Sequence, residues 1–443
     1  MVHALILAFE QATSRRASAR RADRNTIMTG STAGAATLAT RKAMAATSRK
    51  QKWKAFALIA PLALFLLFIF IIPIAMLLYR AVDNPEVIQR LPRTLATLER
   101  WNAQQAPEAS SYVALMEDLQ QAKDDSGSGT LARRLNYEIS GYRSLIFKTI
   151  RRMPFESDAP LNAAQVKQKF LEIDARWGEP RYWQAILRNR SPYSSYYLLA
   201  SLDLQRNLDG SISRVPPTTS AFLSIFGRTF EISALVTLLT LVLGFPLAYW
   251  ISTLPKRKAN IVMIFVLIPF WTSILVRIAA WIVLLQREGL INKALMGMGL
   301  TETPVELLFN RTGVYIAMTH ILLPFMILPL YSVMQSIPPT YQRAAVSLGS
   351  HPFGAFWRVY VPQTFPGIGA GTLLVFIIAV GYYITPALLG GAGDQMISYY
   401  VAYFTNQTIN WGMASALGFL LLAGTLVLYF LYRRLTGREL GLG

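Results

Sequence analysis

"AFALIAPLALFLLFIFIIPIAMLLY", residues 55–79, holds no formal charge over 25 consecutive positions. A helix needs about 20 apolar residues to cross the hydrocarbon core of a bilayer. The run predicts a membrane span, and that decides the class of the fold. Lys50, Lys52 and Lys54 stand directly before it. Basic residues gather on the cytoplasmic side of a span, so the N-terminus is expected inside. Pro61 and Pro73 are expected to kink the helix, which membrane helices tolerate.

Upstream, residues 1–52 are rich in Ala, Ser, Thr and Arg, as in "TSRRASARRADR". They read as a disordered, basic cytoplasmic tail. The early "ALILAF" is too short for a signal-peptide core and leads into charges. Residues 53–82 make up the first span with its flanks. Downstream, residues 83–218 carry 16 of the chain's 24 acidic residues and 18 of its 43 basic ones. Apolar residues recur there at helical intervals, as in "LARRLNYEISGYRSLIFKTIRR", and "KDDSGSGT" reads as a flexible connector. This stretch predicts a mostly helical domain outside the cytoplasm.

Hydrophobic runs return in the 219–435 core. Five further spans are expected at Ile232–Ile251, Ile261–Leu285, Val314–Met334, Ile368–Leu389 and Met413–Tyr432. With the N-terminus inside, six spans put Lys256, Arg257, Lys258, Arg433, Arg434 and Arg438 in the cytoplasm, so separate basic clusters agree on one topology. The expected fold is an all-α integral membrane protein of a bacterial inner membrane. It has six transmembrane helices, a mostly helical periplasmic insertion between spans 1 and 2, and both termini cytoplasmic. A cytoplasmic loop at 335–366 joins spans four and five, and 436–443 form a short tail.

Composition agrees. The chain of 443 residues is 53% hydrophobic and only 15% charged, against about 25% charged in soluble domains. The net charge of +19 is explained by topology, so no nucleic-acid partner is expected. Cysteine is absent, which excludes disulfides and thiolate chemistry. The three histidines, His3, His320 and His351, lack metal-ligand spacing. No G-x-x-x-x-G-K-[ST] phosphate loop occurs, so any ATP that drives this protein binds another chain.

Between spans four and five the chain reads "YQRAAVSLGSHPFGAFWRVYVP", residues 341–362. Ala344, Ala345 and Leu348 form the small and apolar face of a short helix. Gly349 is where it can end, because glycine enters the left-handed region cheaply. Pro352 suits the first turn of a second helix, to which Phe353, Phe356 and Trp357 give an aromatic face and which Pro362 is expected to stop. Helix, sharp turn, helix is a shape that presses into a groove on a partner. The alternative is an ordinary loop held in the cytoplasm by its arginines.

"RAAVSLGSHPFGAFWRVYVP" resembles the EAA loop of ABC importer permeases: Glu-Ala-Ala, three residues, Gly, nine residues, Ile-x-Leu-Pro. Ala344, Ala345, Gly349, Val359, Val361 and Pro362 fall in register, and Arg343 stands where that family has Glu. "LIPFWTSILVRIAAWIVLLQREGLIN" (267–292), "GYYITPALLGGAGDQMI" (381–397), "NWGMASAL" (410–417) and "LLTLVLGFPLAYWIS" (238–252) are similar to stretches of spermidine/putrescine permeases. The resemblance covers about 220–435 and leaves out 1–52 and most of 83–218. It implies a type I importer: two permease subunits, an ATP-binding subunit that holds ATP and Mg, and a periplasmic substrate-binding protein. This chain would be one permease and no enzyme, without a cofactor of its own. The resemblance makes Arg343, Ala344, Ala345, Leu348, Gly349, Phe353, Phe356 and Pro362 the ATPase-coupling residues. The expected cargo is a polyamine or a related small organic solute.

Candidates for the substrate pathway are fewer. Arg277 is a charge deep in an expected span, where a structural role beside a carboxylate or carbonyl competes with a functional one. Asp394, at the outer end of span five, could meet an ammonium group or be a plain loop acid. Trp271, Tyr382 and Tyr383 offer aromatic faces to a cation, though interfacial aromatics need no such role. Arg228 and Glu231 are three apart and are expected to neutralise each other. Pro246, Pro269, Pro324, Pro329 and Pro386 are expected to bend their spans. A stand-alone secondary transporter would need carboxylates at mid-membrane depth. Only Glu231 lies near a span interior, which disfavours that class.

Overall fold

A computed structural model describes residues 57–436, except 126, 154, 156–160, 208, 209 and 219. The expected tail at 1–52, with its lysines, and the tail past residue 436, with Arg438, lie outside the described residues.

Ala57–Tyr79 is one strongly apolar helix of 23 residues. At 1.5 Å per residue it is about 34 Å long, enough for a core of about 30 Å. Pro73 has no N–H to give to the carbonyl of Ile69, and the helix absorbs this in a wide, π-helical turn over Leu67–Ile71.

The insertion begins and ends at one neck. Asn84 N–H donates to the Pro192 carbonyl at 2.8 Å, and Ser194 N–H donates to the Val82 carbonyl at 2.8 Å. Between them lies a helical body made chiefly of Ala109–Asp124, Ser128–Glu138, Tyr142–Arg151, Ala163–Ile173 and Pro180–Arg188. Its core is built from Tyr112, Tyr142, Phe170, Trp177 and Trp183, all 2% exposed or less, with Leu115, Leu119 and Leu135. Every polar handle on these rings is satisfied. Tyr112 donates to the Trp177 carbonyl, Tyr142 to that of Tyr182, Trp177 to the Thr149 hydroxyl and Trp183 to the Trp177 carbonyl. Buried aromatics without such partners would be costly. The expected connector "KDDSGSGT" is tighter than its composition implies, because helix occupies both its ends and Gly127 N–H donates back to the Ala122 carbonyl at 2.9 Å. One antiparallel hairpin, Leu204–Arg206 with Ile212–Arg214, follows the body.

Asp203 joins insertion to membrane helix. Its Oδ1 accepts from the N–H groups of Ala221 and Phe222, and its Oδ2 from Leu223 at 2.8 Å. These are orphan donors at the start of the 32-residue helix Phe222–Thr253. The three N–H groups together outweigh the effect of burial and hold the Asp203 carboxyl below its usual range.

Phe222–Thr253, Arg311–Ser336 and Phe365–Gly381 pack on one another as the centre of the membrane domain. Small residues let the backbones approach: a Cβ on Gly244 would lie 3.1 Å from Met326, and one on Gly371 only 2.8 Å from its sulfur. Among the described residues, four continuous helices are of membrane length: Ala57–Tyr79, Phe222–Thr253, Arg311–Ser336 and Trp411–Arg434. The expected spans Ile261–Leu285 and Ile368–Leu389 are not straight. Lys256–Trp271 and Ile274–Gly297 meet at 96°, so these helices total six only when bent pairs count as one span. The break follows a 3-10 turn at Ile268–Trp271, where Pro269 withholds a hydrogen bond, and an extended residue at Ser273. Phe365–Gly381 likewise ends at extended Tyr382 before the short Ile384–Leu389 helix.

The domain has two chemically different ends. Lys256–Lys258 follow the C-terminal end of Phe222–Thr253, where residues 340–363 also pack, and Arg433 and Arg434 fall in the last turn of the final helix. The insertion caps the opposite end through Asp203.

Candidate functional site

The segment 340–363 is built by local chemistry. Thr340–Ser347 is helical, and Gly349 follows with φ +92°. Ser350 N–H reaches the Ala345 carbonyl and Gly349 N–H that of Val346, both at 3.0 Å. This is the Schellman closure, which needs a left-handed residue where Gly349 stands. His351 then caps the next helix, its Nδ1 accepting from Phe353 N–H at 3.3 Å, with Pro352 in the first turn.

The aromatic residues divide between two faces. Phe356 turns inward, stacking on Tyr360 at 5.6 Å and meeting Tyr249 edge-on at 5.1 Å between ring centroids. It anchors the segment to Phe222–Thr253 and does not share an outward face with Phe353, which corrects the expectation of a docking Phe356. Phe356–Tyr360 forms a π-helical turn, which departs from the spacing the sequence pattern assumes. Pro362 does not stop the helix either. The chain stays helical through Gln363 and then bends by 60° into Phe365–Gly381. Facing away are Leu348 at 89% exposure, Phe353 at 67% and Trp357 at 53%. Ala344, Arg343 and Gly349 are exposed among them, and Ala345 is half-buried. Trp357 completes this face, and its i, i+4 relation to Phe353 is the signal that finds it. No acidic residue lies between 335 and 366, so the surface is apolar and basic.

At the opposite end, Asp394 is not a free carboxylate. Its Oδ1 accepts from Arg311 Nε at 3.0 Å and its Oδ2 from Gly391 N–H at 3.1 Å. Arg311 Nη1 also donates to Glu231 at 3.1 Å. Arg228 donates to the carbonyls of Gly393 and Gln395. The expected Arg228–Glu231 pair is therefore replaced by contacts between elements, and Asp394 is tied to Arg311 rather than open to an ammonium group. Partners 80 or more residues apart leave no trace in local sequence. Glu231 lies at this end of its helix, in the ion pair with Arg311.

The two backbone breaks bring other candidates to the packing of Ile274–Leu285 on Ile384–Leu389 and Arg311–Ser336. Arg277 has a buried Nε without a hydrogen-bond partner among the described residues. It lies within electrostatic reach of His320 and Tyr382. Trp281 Nε1 donates to His320 Nδ1 at 3.2 Å. Trp271 is 87% exposed and Tyr383 41%, so neither is sequestered with Tyr382. Irregular backbone at membrane depth persists only where protein buries it or a water-filled cavity borders it.

Comparison with known proteins places this arrangement. Residues 240–439 match the family described as "Binding-protein-dependent transport system inner membrane component". The spermidine/putrescine transport system permease protein PotB of Salmonella typhimurium (strain SL1344) is 31% identical over 211 residues, covering 47% of this chain and 74% of that protein. The protein of the same name from Haemophilus influenzae is 33% identical over 213 residues, covering 48% and 74%. A chain of a bacterial alginate ABC transporter, solved in complex with an alginate pentasaccharide-bound periplasmic protein, matches with TM-score 0.43 and 20% identity, covering 51% of this chain and 82% of that one.

Proposed function

This chain belongs to the family of binding-protein-dependent transport system inner membrane components and is an ABC importer permease; from that premise we propose that it carries polyamines across the membrane and is driven by a separate ATPase docked on residues 340–363. The observation that carries the docking is the outward face of that segment. Leu348, Phe353 and Trp357 are large, apolar and exposed at the end where Lys256–Lys258 and Arg433–Arg434 gather. Exposing such rings is unfavourable unless a partner covers them. The positive-inside rule makes this end cytoplasmic, both termini with it, and makes the insertion periplasmic. ATP and Mg bind the partner subunit, whose receiving groove is apolar and neutral or acidic to suit Arg343. A second permease completes the pathway beside the breaks at 268–273 and 382–383, and a periplasmic binding protein delivers the substrate. Because Phe356 fastens the segment to Phe222–Thr253, movement of the ATPase passes to the centre of the membrane domain as displacement of a rigid element.

Polyamine cargo rests on the named activity of the relatives. Uptake of labelled putrescine and spermidine would be measured in cells without other polyamine importers, expressing this chain with its partner permease, ATPase and binding protein. Uptake by the wild type and not by Gly349→Val supports both cargo and coupling. An assembled complex that hydrolyses ATP and takes up neither amine would discard the polyamine and keep the importer class.

A further inference from the structure

Where the insertion meets the start of the Trp411–Thr436 helix, Tyr137, Tyr197 and Trp411 wall a cavity of about 260 Å³. Its charged groups are unevenly satisfied. Arg133 donates to the carbonyls of Thr408 and Ile409, the latter at 3.2 Å. Arg134 is 1% exposed. Its Nε donates to Asn84 at 2.7 Å, its Nη2 lies 3.2 Å from Glu138, and its guanidinium sits 4.7 Å from the centre of the Tyr196 ring. Its Nη1 and Nη2 are both buried with no hydrogen-bond partner. Two carboxylates, Asp83 and Glu86, line the same cavity, and neither has an ion-pair partner among the described residues. Glu86 Oε2 is also buried without a hydrogen-bond partner.

A buried donor or acceptor left unmade costs about 1–3 kcal/mol, more when charged. A ligand that relieves both must accept at Arg134 and donate at Glu86. A dication would face the guanidiniums of Arg80, Arg133 and Arg134, and a dianion would face Asp83 and Glu86. No group of three or more His, Cys, Asp or Glu converges among the described residues, which argues against a metal ion. We propose that this cavity binds a small zwitterion of amino-acid size, its carboxylate on Arg134 Nη1 and its ammonium on Glu86 and Asp83. The aromatic walls cover its apolar part and add cation–π attraction for the ammonium. The site lies at the insertion junction, away from the backbone breaks. Its lining comes from both the insertion and the segment 409–412, so an occupant holds the two together.

The test is calorimetric titration of the full-length chain in detergent with γ-aminobutyrate, glycine, putrescine and succinate. γ-Aminobutyrate or glycine is expected to bind, and Glu86→Gln to weaken that binding by about tenfold, the scale of one charged hydrogen bond. Asp83→Asn is the second variant, and the unliganded melting temperature of each checks its fold. Binding of putrescine alone, lost in Glu86→Gln, would overturn the zwitterion in favour of a cation site. Zwitterion binding that neither variant weakens places the ligand elsewhere and overturns the site. No binding by any probe overturns the proposal.

Discussion

Gly349 carries a strain that only glycine escapes. A Cβ there would meet nothing within 4 Å, so the obstacle is its φ of +92° and not crowding. An ordinary side chain in the left-handed region costs about 1–2 kcal/mol, and Asn less. Uptake should therefore fall in the order Gly, Asn, Ala, Val at this position, with equal membrane insertion. If Asn proved as poor as Val, the turn would not be the cause. Asp203 permits a prediction with pH. Its folded pKa is depressed, so its capping contribution is complete above the unfolded carboxylate value of about 4 and is lost as pH falls through the native value. Asp203→Ala should cost about 1–2 kcal/mol at neutral pH. Thermal melts of wild type and variant should converge on acidification.

Among the elements, the segment 340–363 has an inward residue, Phe356, and an outward face of Leu348, Phe353 and Trp357, the proposed docking face. Phe356→Ala should lower the melting temperature, at a cost on the order of 2 kcal/mol for lost ring packing. Phe353→Ala and Trp357→Ala should leave the melt unchanged and reduce co-purification of the proposed ATPase partner. The opposite pattern would reverse the assignment of faces. Much of this segment is legible in sequence, because Gly349 and Pro352 act within a few residues of themselves. The inward turn of Phe356 is not, since it depends on a π-helical turn that a 3.6-residue period does not contain. The run 55–79 is legible for the same reason as the turn: length and apolarity suffice. The break at 268–273 is hidden, because averaged hydropathy stays high across a change of direction. Arg311 escapes notice because its partners, Glu231 and Asp394, come from distant parts of the chain.

At the scale of the molecule, the insertion has a core that closes on itself. Its aromatic centre draws on residues 87–187, and one neck holds both its ends. Excised as residues 82–194, it should be soluble, helical and cooperative in thermal unfolding. Trp177→Ala should cost it about 3–5 kcal/mol. A fragment that unfolds without a transition would show that the body depends on the membrane domain. Charge is partitioned on the same scale. The acidic side chains Glu231 and Asp394 are paired with Arg311 at one end, whereas Arg343 and Arg358 at the other have no ion-pair partner among the described residues. Attachment of the proposed ATPase partner should therefore weaken with salt, and Arg343→Glu should weaken it further at low ionic strength.

The wide turn at Phe356–Tyr360 has one more consequence. A π-helical turn behaves as an α-helix with one residue inserted, and each residue of an α-helix advances the chain by about 100°. Deleting a single residue there would restore an even helix while keeping nearly every side chain. The upstream half would then rotate by about a quarter-turn against the downstream half, carrying Phe353 off its bearing while Tyr360 kept its place. What is specified at that point is phase: the count of residues between two faces matters as much as which residues they are.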